Sequence, residues 1–281
     1  MKKILLIAVM SVFALAASAD SWESGLEICS TKVTSSNVDD LLSLFSDQEH
    51  LRGTLSYDNE TGVLTLNELA VDRKNAFPTF FRFTKTTDRS EYYVKINGNC
   101  IFDNKGVKAK NIFTVEEGVT VVFDGIHGNP IEDEIDFYTG NAIGGSTDAI
   151  IRIKNLTIEH NEIIFTLCGN GSSYRLSELS IINSNIKAED ESGIFENIKS
   201  FKLINCAFVT PADATFNTEK YYVESEGARL LHVPVEIKAK KTAIDNVNQE
   251  AHIKNQKVIR NGQMLIERNG ELFNLTGAKM Q

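Results

Sequence analysis

Apolar and polar positions form a short phrase that recurs through the middle of the chain. The phrase contains two apolar residues two positions apart, and a third apolar residue five positions after the second. Its six copies are Leu64, Leu66, Val71; Val94, Ile96, Ile101; Val119, Val121, Ile126; Leu156, Ile158, Ile163; Leu179, Ile181, Ile186; and Phe201, Leu203, Phe208. They begin 30, 25, 37, 23 and 22 residues apart. A recurrence of this length is typical of solenoids, in which each repeat buries its apolar face against its neighbours.

The spacing within each copy predicts β-strands. Residues two apart lie on one face of a strand, and the gap of four that follows fits a tight bend. The copies are rich in Ile, Val, Phe and Thr, and they are mostly shorter than the two-helix repeats of α-solenoids. We therefore predict an all-β chain whose residues 20–236 form a right-handed parallel β-helix. A β-sandwich is the alternative, although it requires no constant internal spacing.

Elements outside the repeat are predicted on both sides of it. Residues 35–46 are expected to form a short capping helix, with Ser36 or Asn37 as its N-cap. Residues 237–281 are expected to form a linker and a small β-meander. Two tight-turn signals, Asn261-Gly262 and Asn269-Gly270, indicate its hairpins.

The first nineteen residues have the pattern of a secretory signal peptide. Lys2 and Lys3 precede an apolar run, and this run is followed by small residues up to Ala19. We expect cleavage after Ala19. The run is too short for a permanent membrane anchor, and no other stretch approaches transmembrane length. Loss of the two lysines changes the formal charge from −9 to −11. This acidic balance argues against nucleic acid as a partner. Solubility is its simpler interpretation, and the alternative is attraction of a basic protein partner.

Two segments of the chain resemble known classes of exported protein. Gly53–Asn67 and Val119–Gly125 are similar to phrases in a family of secreted β-helix proteins of gut Bacteroidetes, and this resemblance covers roughly residues 25–210. Gly270–Gly277 resembles the C-terminal sorting domain of type IX secretion cargo, although Phe273 stands where Tyr is more usual. The resemblance implies export through that machinery by residues 242–281, followed by display on the cell surface or release. It carries over no catalytic residues.

An enzyme remains an alternative on a β-helix. Of the four-part signature of pectin hydrolases, the chain has only Arg152-Ile153-Lys154 and the fragment His127-Gly128. A polyuronate lyase needs a base and commonly calcium. The densest acidic run supplies weak calcium candidates, and a solvated acidic loop is the simpler interpretation. These candidates are Glu132, Asp133, Glu134 and Asp136. We otherwise expect no cofactor.

Four cysteines remain after the expected cleavage. They are Cys29, Cys100, Cys168 and Cys206. In an exported protein they can form disulfides, with three full pairings possible, or remain as buried thiols.

Aromatic residues in the longer intervals between copies are the candidate contact residues, with core packing as the alternative. They are Phe80, Phe81, Tyr92, Tyr93 and Tyr138. We expect a non-catalytic binding protein that recognises a luminal macromolecule, either a host protein such as a secreted protease or a polysaccharide. Its specificity is expected to lie in the intervals 72–93 and 127–155.

Overall fold

The chain is almost entirely β-structure, and the expected parallel β-solenoid is confirmed. The computed structural model describes residues 22–45, 51–72, 79–103, 111–139, 141–160, 167–169, 175–188, 194–230, 233–240, 256–260, 263–268 and 271–273. The expected leader, residues 1–19, lies outside these ranges. The chain divides into two compact units, Met1–Ala239 and Lys240–Gln281. The first unit contains the solenoid.

Three parallel sheets form the faces of the solenoid, and one passage through all three is called a coil below. Face 1 contains the first half of β4 (Val63–Asp72), followed by β6 (Glu91–Asn97), β9 (Thr120–Gly125), β12 (Ile150–Lys154), β15 (Glu178–Ile182) and β17 (Phe201–Ile204). Face 2 contains the second half of β4, followed by β7 (Asn99–Asp103), β10 (Glu134–Thr139), β13 (Thr157–His160) and β16 (Asn185–Ala188). Face 3 contains β5 (Phe81–Phe83), β8 (Asn111–Val115), β11 (Asn141–Gly145) and β14 (Leu167–Gly169).

The strand register on face 1 is more regular than the sequence phrases indicate. Leu64, Val94, Phe123, Ile153, Ile181 and Leu203 occupy equivalent positions, spaced 30, 29, 30, 28 and 22 residues apart. The copy at Val119 therefore begins four residues before the equivalent position, Phe123, and the copies at Leu179 and Phe201 begin two residues before theirs. The copy at Leu156 lies on face 2, one corner further along the coil. These displacements account for the 37-residue interval between the copies at Val119 and Leu156. Residues 127–155 contain a loop and three ordinary strands of the solenoid.

The corner between faces 1 and 2 is tight in four of the coils. One or two residues link the strands there, and one of them has a positive φ: Gly98, Asn155, Asn183 or Asn205. Gly and Asn suit this left-handed conformation. The asparagines also bond between coils, since Asn183 Nδ2 donates to Asn155 Oδ1 (2.9 Å) and Asn155 Nδ2 donates to Asp124 Oδ1 (2.9 Å).

Aromatic rings fill the first half of the core. Phe81 stacks on Phe113 with centroids 4.8 Å apart, and Phe102 packs edge-on against Phe113 at 5.4 Å. Three of the candidate contact residues, Phe80, Phe81 and Tyr92, are fully buried here. Their assignment to a binding surface was therefore wrong. Apolar rings on inward-facing strand positions gain more from burial than from exposure.

The N-terminal end of the solenoid is covered by irregular structure. It contains β1 (Glu23–Ile28), β2 (Thr31–Thr34) and β3 (Arg52–Asp58), the last pairing antiparallel with β4. The expected helix is only a kinked 3₁₀ segment, Val38–Leu44, without a side-chain cap. Asn37 Oδ1 instead accepts a hydrogen bond from Thr34 N (2.8 Å), which explains the missing cap. The segment still covers this end of the core, because the ring of Phe45, directly after it, packs against Phe80 and Phe81.

The C-terminal end of the solenoid breaks the parallel pattern. On face 2, β22 (Val235–Ala239) lies antiparallel between β16 and β18 (Cys206–Thr210). A small antiparallel sheet follows β18 along the chain: β19 (Thr215–Asn217), β20 (Tyr222–Ser225) and β21 (Ala228–Arg229).

The second unit contains a three-stranded antiparallel meander, as expected. Its strands are β23 (Gln256–Arg260), β24 (Gln263–Arg268) and β25 (Glu271–Phe273). The unit begins at Lys240, three residues after the expected boundary at 237. Within the described ranges, no helix is long and apolar enough to span a membrane.

Candidate functional site

One corner between faces 1 and 2 departs from the repeat. Between β9 and β10 the chain inserts residues 126–133, called the corner loop below, where other coils use one or two residues. The loop begins on the ladder, since Ile126 N donates to Ile96 O (3.0 Å). It then lies against the following coils: Thr157 Oγ1 donates to Pro130 O, and Asn183 Nδ2 donates to Gly128 O (3.5 Å).

Asp133 anchors the corner loop from inside the protein. Its side chain is fully buried and accepts hydrogen bonds from Gly98 N (3.0 Å) and His127 N (2.9 Å). The His127 ring bonds the same carboxylate through Nδ1, at 2.9 Å from Oδ1. This bond raises the pKa of His127. A buried carboxylate with three partners fixes both ends of the loop to the corner.

The outer half of the corner loop is held by a second set of bonds. Asn129 Oδ1 accepts from Ile131 N (2.9 Å) and from Glu132 N (3.3 Å), while Asn129 Nδ2 donates to Glu132 Oε1 (2.9 Å). The ring of Pro130 restricts the backbone between them. The loop nevertheless leaves Ile131 77% exposed and Ile126 48% exposed. Ile131 is thus an aliphatic side chain held in water on a constrained backbone.

Three carboxylates lie together on face 2 beside the corner loop. Glu134 and Asp136 are two apart on β10 and face outward, and Glu159 is paired with Asp136 in the register of β13. One carboxylate oxygen from each lies within 4.8 Å of the others. We call these residues the acidic trio. Lys187 Nζ lies 3.4 Å from Glu159 Oε2 at its edge.

Burial and crowding of negative charge change the ionisation of two members of the acidic trio. Burial, followed by repulsion from Asp136 and Glu159, raises the pKa of Glu134 to about 7. Burial also raises the pKa of Asp136, although a hydrogen bond from Asn99 Nδ2 to Oδ2 (3.2 Å) opposes this. Glu134 therefore titrates near neutral pH, and the charge of the acidic trio increases as the pH rises.

The structure separates the four calcium candidates. Glu134 and Asp136 belong to the acidic trio, Asp133 is turned inward to anchor the corner loop, and Glu132 lies on the loop with Asn129. Calcium takes six to eight oxygen ligands around it, whereas the acidic trio supplies carboxylates from one face. The four candidates therefore do not gather at one point, since Asp133 and Glu134 point to different sides of the corner, and the calcium site stays a prediction.

The outer surface of face 1 contains a ladder of ion pairs. Asp124 lies between two lysines, with Oδ2 2.8 Å from Lys95 Nζ and 3.5 Å from Lys154 Nζ. Burial opposes ionisation of Asp124, but the hydrogen bonds from Lys95 and Asn155 outweigh it and lower its pKa. Lys154 of the fragment Arg152-Ile153-Lys154 thus takes part in an ion pair on this face, and Ile153 is buried in the core.

Glu178 repeats this arrangement two strands further along face 1. Its carboxylate contacts both Lys202 Nζ and Arg152 Nε, the latter at 3.6 Å. Burial alone would raise the pKa of Glu178. The hydrogen bonds from Lys202 and Ser180 and the nearby charges outweigh burial, so the pKa is lowered. Four cations therefore surround two carboxylates on face 1, which leaves a local excess of positive charge.

Two aromatic candidates remain near the surface. Tyr93 is half-buried on face 1, and its hydroxyl donates to Glu91 Oε1 (2.9 Å). Tyr138 on β10 is 36% exposed. Tyr138 follows Asp136 by two positions on β10 and so lies on face 2 with the acidic trio, whereas Tyr93 lies on face 1.

The structure shows the thiol state of one of the four cysteines, Cys100. Cys100 is a free, buried thiol whose pKa burial raises to about 12, so none of the three full pairings forms. Cys29 and Cys206 are also buried, and Cys206 Sγ lies 3.3 Å from Ser184 N. The side chain of Cys168 is outside the described part of the chain.

Sequence reasoning missed the residues that give this region its character. Glu159 follows Asp136 by 23 positions, so only the strand register places them together. Ile126 was assigned to the core as the third position of a phrase. The sequence Gly128-Asn-Pro130 directly after it was a loop signal that could have exposed both Ile126 and Ile131.

The fold and this region define a class, a parallel β-solenoid in which one of the described corners between faces 1 and 2 is elaborated. A scan against models of protein families finds no match, and searches of curated proteins and of solved structures find none.

Proposed function

We propose that this chain is an exported, non-catalytic binding protein of a gut bacterium, displayed on the cell surface or released from it. Its partner is a luminal macromolecule, foremost a basic host protein such as a secreted protease. The leader-like residues 1–19 and the sorting-like tail 242–281 support export. The observation that carries the binding role is the corner loop.

The corner loop has the properties of a contact surface. Four other coils join faces 1 and 2 with one or two residues and β4 runs through the corner without a break, so these eight residues add nothing that the repeat requires. Two aliphatic side chains are exposed on them, at Ile126 and Ile131. Exposed apolar groups on a preorganised backbone favour association, because little conformational entropy remains to be lost on binding.

Charge supports a basic partner. The whole chain has a formal charge of −9, and the acidic trio adds a local concentration of carboxylates beside the corner loop. Such a surface attracts a positively charged protein and accelerates the encounter between the two.

A polysaccharide is the second candidate, supported by face 1. Lys95, Arg152, Lys154 and Lys202 outnumber the three carboxylates of this face, Glu91, Asp124 and Glu178, by one. An extended polymer with acidic sugars would find an excess of cations there, spaced over several strands. This candidate covers a glycan-binding protein and, as its catalytic version, a polyuronate lyase.

The test uses the chain from residue 20 onward, immobilised and exposed to luminal fluid. We expect recovery of a defined basic protein, with binding that weakens as salt rises. Immobilised serum albumin, another acidic protein, is the control for nonspecific charge attraction. Recovery of the same proteins on both surfaces, or of none on either, would contradict the proposal.

A parallel incubation with polygalacturonate and calcium separates the alternatives. Retention of the polymer without product indicates glycan binding. Formation of unsaturated uronates that stops on chelation would establish a lyase and overturn the non-catalytic proposal.

A further inference from the structure

The last coil of the solenoid leaves a strand edge open on face 1. β17 pairs with β15 on one side, and no described strand pairs with its other side. We propose that this edge binds the same edge of a second copy of the chain, so that two chains join through antiparallel β17 strands related by a two-fold axis. This dimer does not depend on the proposed function, because it uses a surface other than the corner loop.

The apolar side chains of the last coil are covered less well than those of the coils before it. On face 1 the residues equivalent to Leu203 are all fully buried: Leu64, Val94, Phe123, Ile153 and Ile181. Leu203 itself is only half-buried, as is Phe201 on the same strand. Ile204, on the outer surface of β17, is 44% exposed. A short apolar strand with an open edge is a template for pairing with another chain.

The backbone of β17 directs free hydrogen-bonding groups to this open edge at Leu203. Leu179 N donates to Ser200 O (2.9 Å) and Asn183 N donates to Ile204 O (2.9 Å), so the even-numbered residues of β17 face β15. Successive residues of a strand alternate in direction, and the N–H and C=O of Leu203 therefore point away from β15. In an antiparallel pair, Leu203 is thus placed to exchange both hydrogen bonds with the residue opposite it.

Charge selects the register of the pair. The two-fold axis can pass beside either central residue of this four-residue strand, Lys202 or Leu203. An axis beside Lys202 would place two like charges directly opposite each other, which is destabilising. With the axis beside Leu203, the Lys202 of each copy instead lies opposite Ile204 of the other copy. Each lysine then keeps its contact with Glu178 on the neighbouring strand of its own chain.

The opposite end of face 1 does not offer a matching edge. β3 is the last described strand there, and it contains Gly53, with a φ of +86°, and a register shift against β4 between Arg52 and Thr54. The exposed side chains of β3 are polar or charged. Irregularities and charged side chains of this kind protect an edge strand from pairing. The apolar edge of β17 therefore fits a copy of itself, and the assembly closes as a dimer instead of growing into a filament.

The first experiment measures the mass of the chain from residue 20 onward by analytical ultracentrifugation between about 5 and 500 µM. We expect a reversible monomer–dimer equilibrium, because a four-residue strand edge is smaller than a permanent interface. Ile204→Lys places a lysine opposite Lys202 of the other copy, twice per dimer, and is expected to raise the dimer Kd at least about tenfold. Val209→Lys is the matched control, because Val209 is similarly exposed (43%) but lies on β18, outside the pair, and this change should leave Kd unaltered.

A cross-linking experiment tests the register. Leu203→Cys lies directly opposite its copy in the proposed pair, at a Cα separation of about 5.5 Å, which suits a disulfide. Ile204→Cys is the control, because its thiol is more exposed but its Cα lies more than about 7 Å from that of its copy. We expect mild oxidation to link chains that carry Leu203→Cys at least about tenfold faster than chains that carry Ile204→Cys.

The outcomes decide the pairing without deciding the proposed function. A monomer at every concentration, or a dimer that is unchanged in Ile204→Lys, would overturn the proposed pair. Equal weakening by Val209→Lys, or linkage of Ile204→Cys as fast as that of Leu203→Cys, would place the contact elsewhere and would also overturn it. Circular dichroism confirms that each variant is folded. The recovery of a basic partner from luminal fluid is a separate measurement, and its result does not depend on the dimer.

Discussion

Neutralising one carboxylate of the acidic trio is expected to stabilise the protein at high pH. In the folded chain Glu134 has its pKa raised from 4.5 to about 7, mainly by burial and by repulsion from Asp136 and Glu159. Between these two values the folded chain holds a proton that the unfolded chain has released. Stability is therefore lost as the pH rises through this window. Glu134→Gln mimics the protonated acid and removes the loss.

The magnitude follows from the size of the shift. A change of this size corresponds to an upper limit of about 3 kcal/mol. Glu134 is only half-buried, so screening by solvent reduces the expected gain to about 1–2 kcal/mol at pH 8. For a unit of this size the gain corresponds to a rise in Tm of about 2–8 °C. At pH 4.5 and below, the variant and the parent chain should have nearly equal stability.

The assay is urea unfolding at pH 4.5, 6 and 8, followed by the fluorescence of Trp22, the single tryptophan, which packs near Tyr57. Glu117→Gln is the control, because it removes the same charge from an exposed position. The reasoning is refuted if the parent and Glu134→Gln show parallel stability across this pH range, or if Glu117→Gln reproduces the gain.

Gly125→Ala is expected to destabilise the solenoid by about 1–3 kcal/mol in urea unfolding, because the added methyl would lie 2.1 Å from Asn155 O; unchanged stability would contradict this. Phe113→Ala should cost about 3–5 kcal/mol by removing a ring from the aromatic core, and a loss below 1 kcal/mol in the same assay would contradict that packing. Cys100 should resist alkylation until the chain unfolds, as peptide mapping would show, since burial raises its pKa to about 12; labelling under native conditions would oppose this.

The sequence is sufficient to predict the class of fold but not the phase of its coils. Leu64, Leu66 and the equivalent pairs do mark strands of face 1. Yet each coil has more than one strand with inward residues two apart, so Leu156 and Ile158 on face 2 produce the same phrase. The spacing rule cannot tell one face from the next. Only the hydrogen-bonded register removes that ambiguity.

The candidate site shows a similar limit. Consecutive acidic residues suggest a shared site, but a loop that ends in a strand sends Asp133 inward and Glu134 outward. Aromatic residues suggested contacts, but Phe80 and Phe81 gain more by filling the core. Contacts between coils, such as Asp136 with Glu159, depend on partners far apart in sequence and are not visible in any local pattern.

The antiparallel strand β22 has a consequence for the order in which the chain can fold during synthesis. Ile237 lies opposite both Ile186 on β16 and Phe208 on β18, so the last two parallel strands of face 2 meet only through it. β18 therefore has no place in this sheet until residues 235–239 have been made. A nascent chain can complete its early coils in sequence, but its final coil must wait for a segment synthesised some 25 residues later.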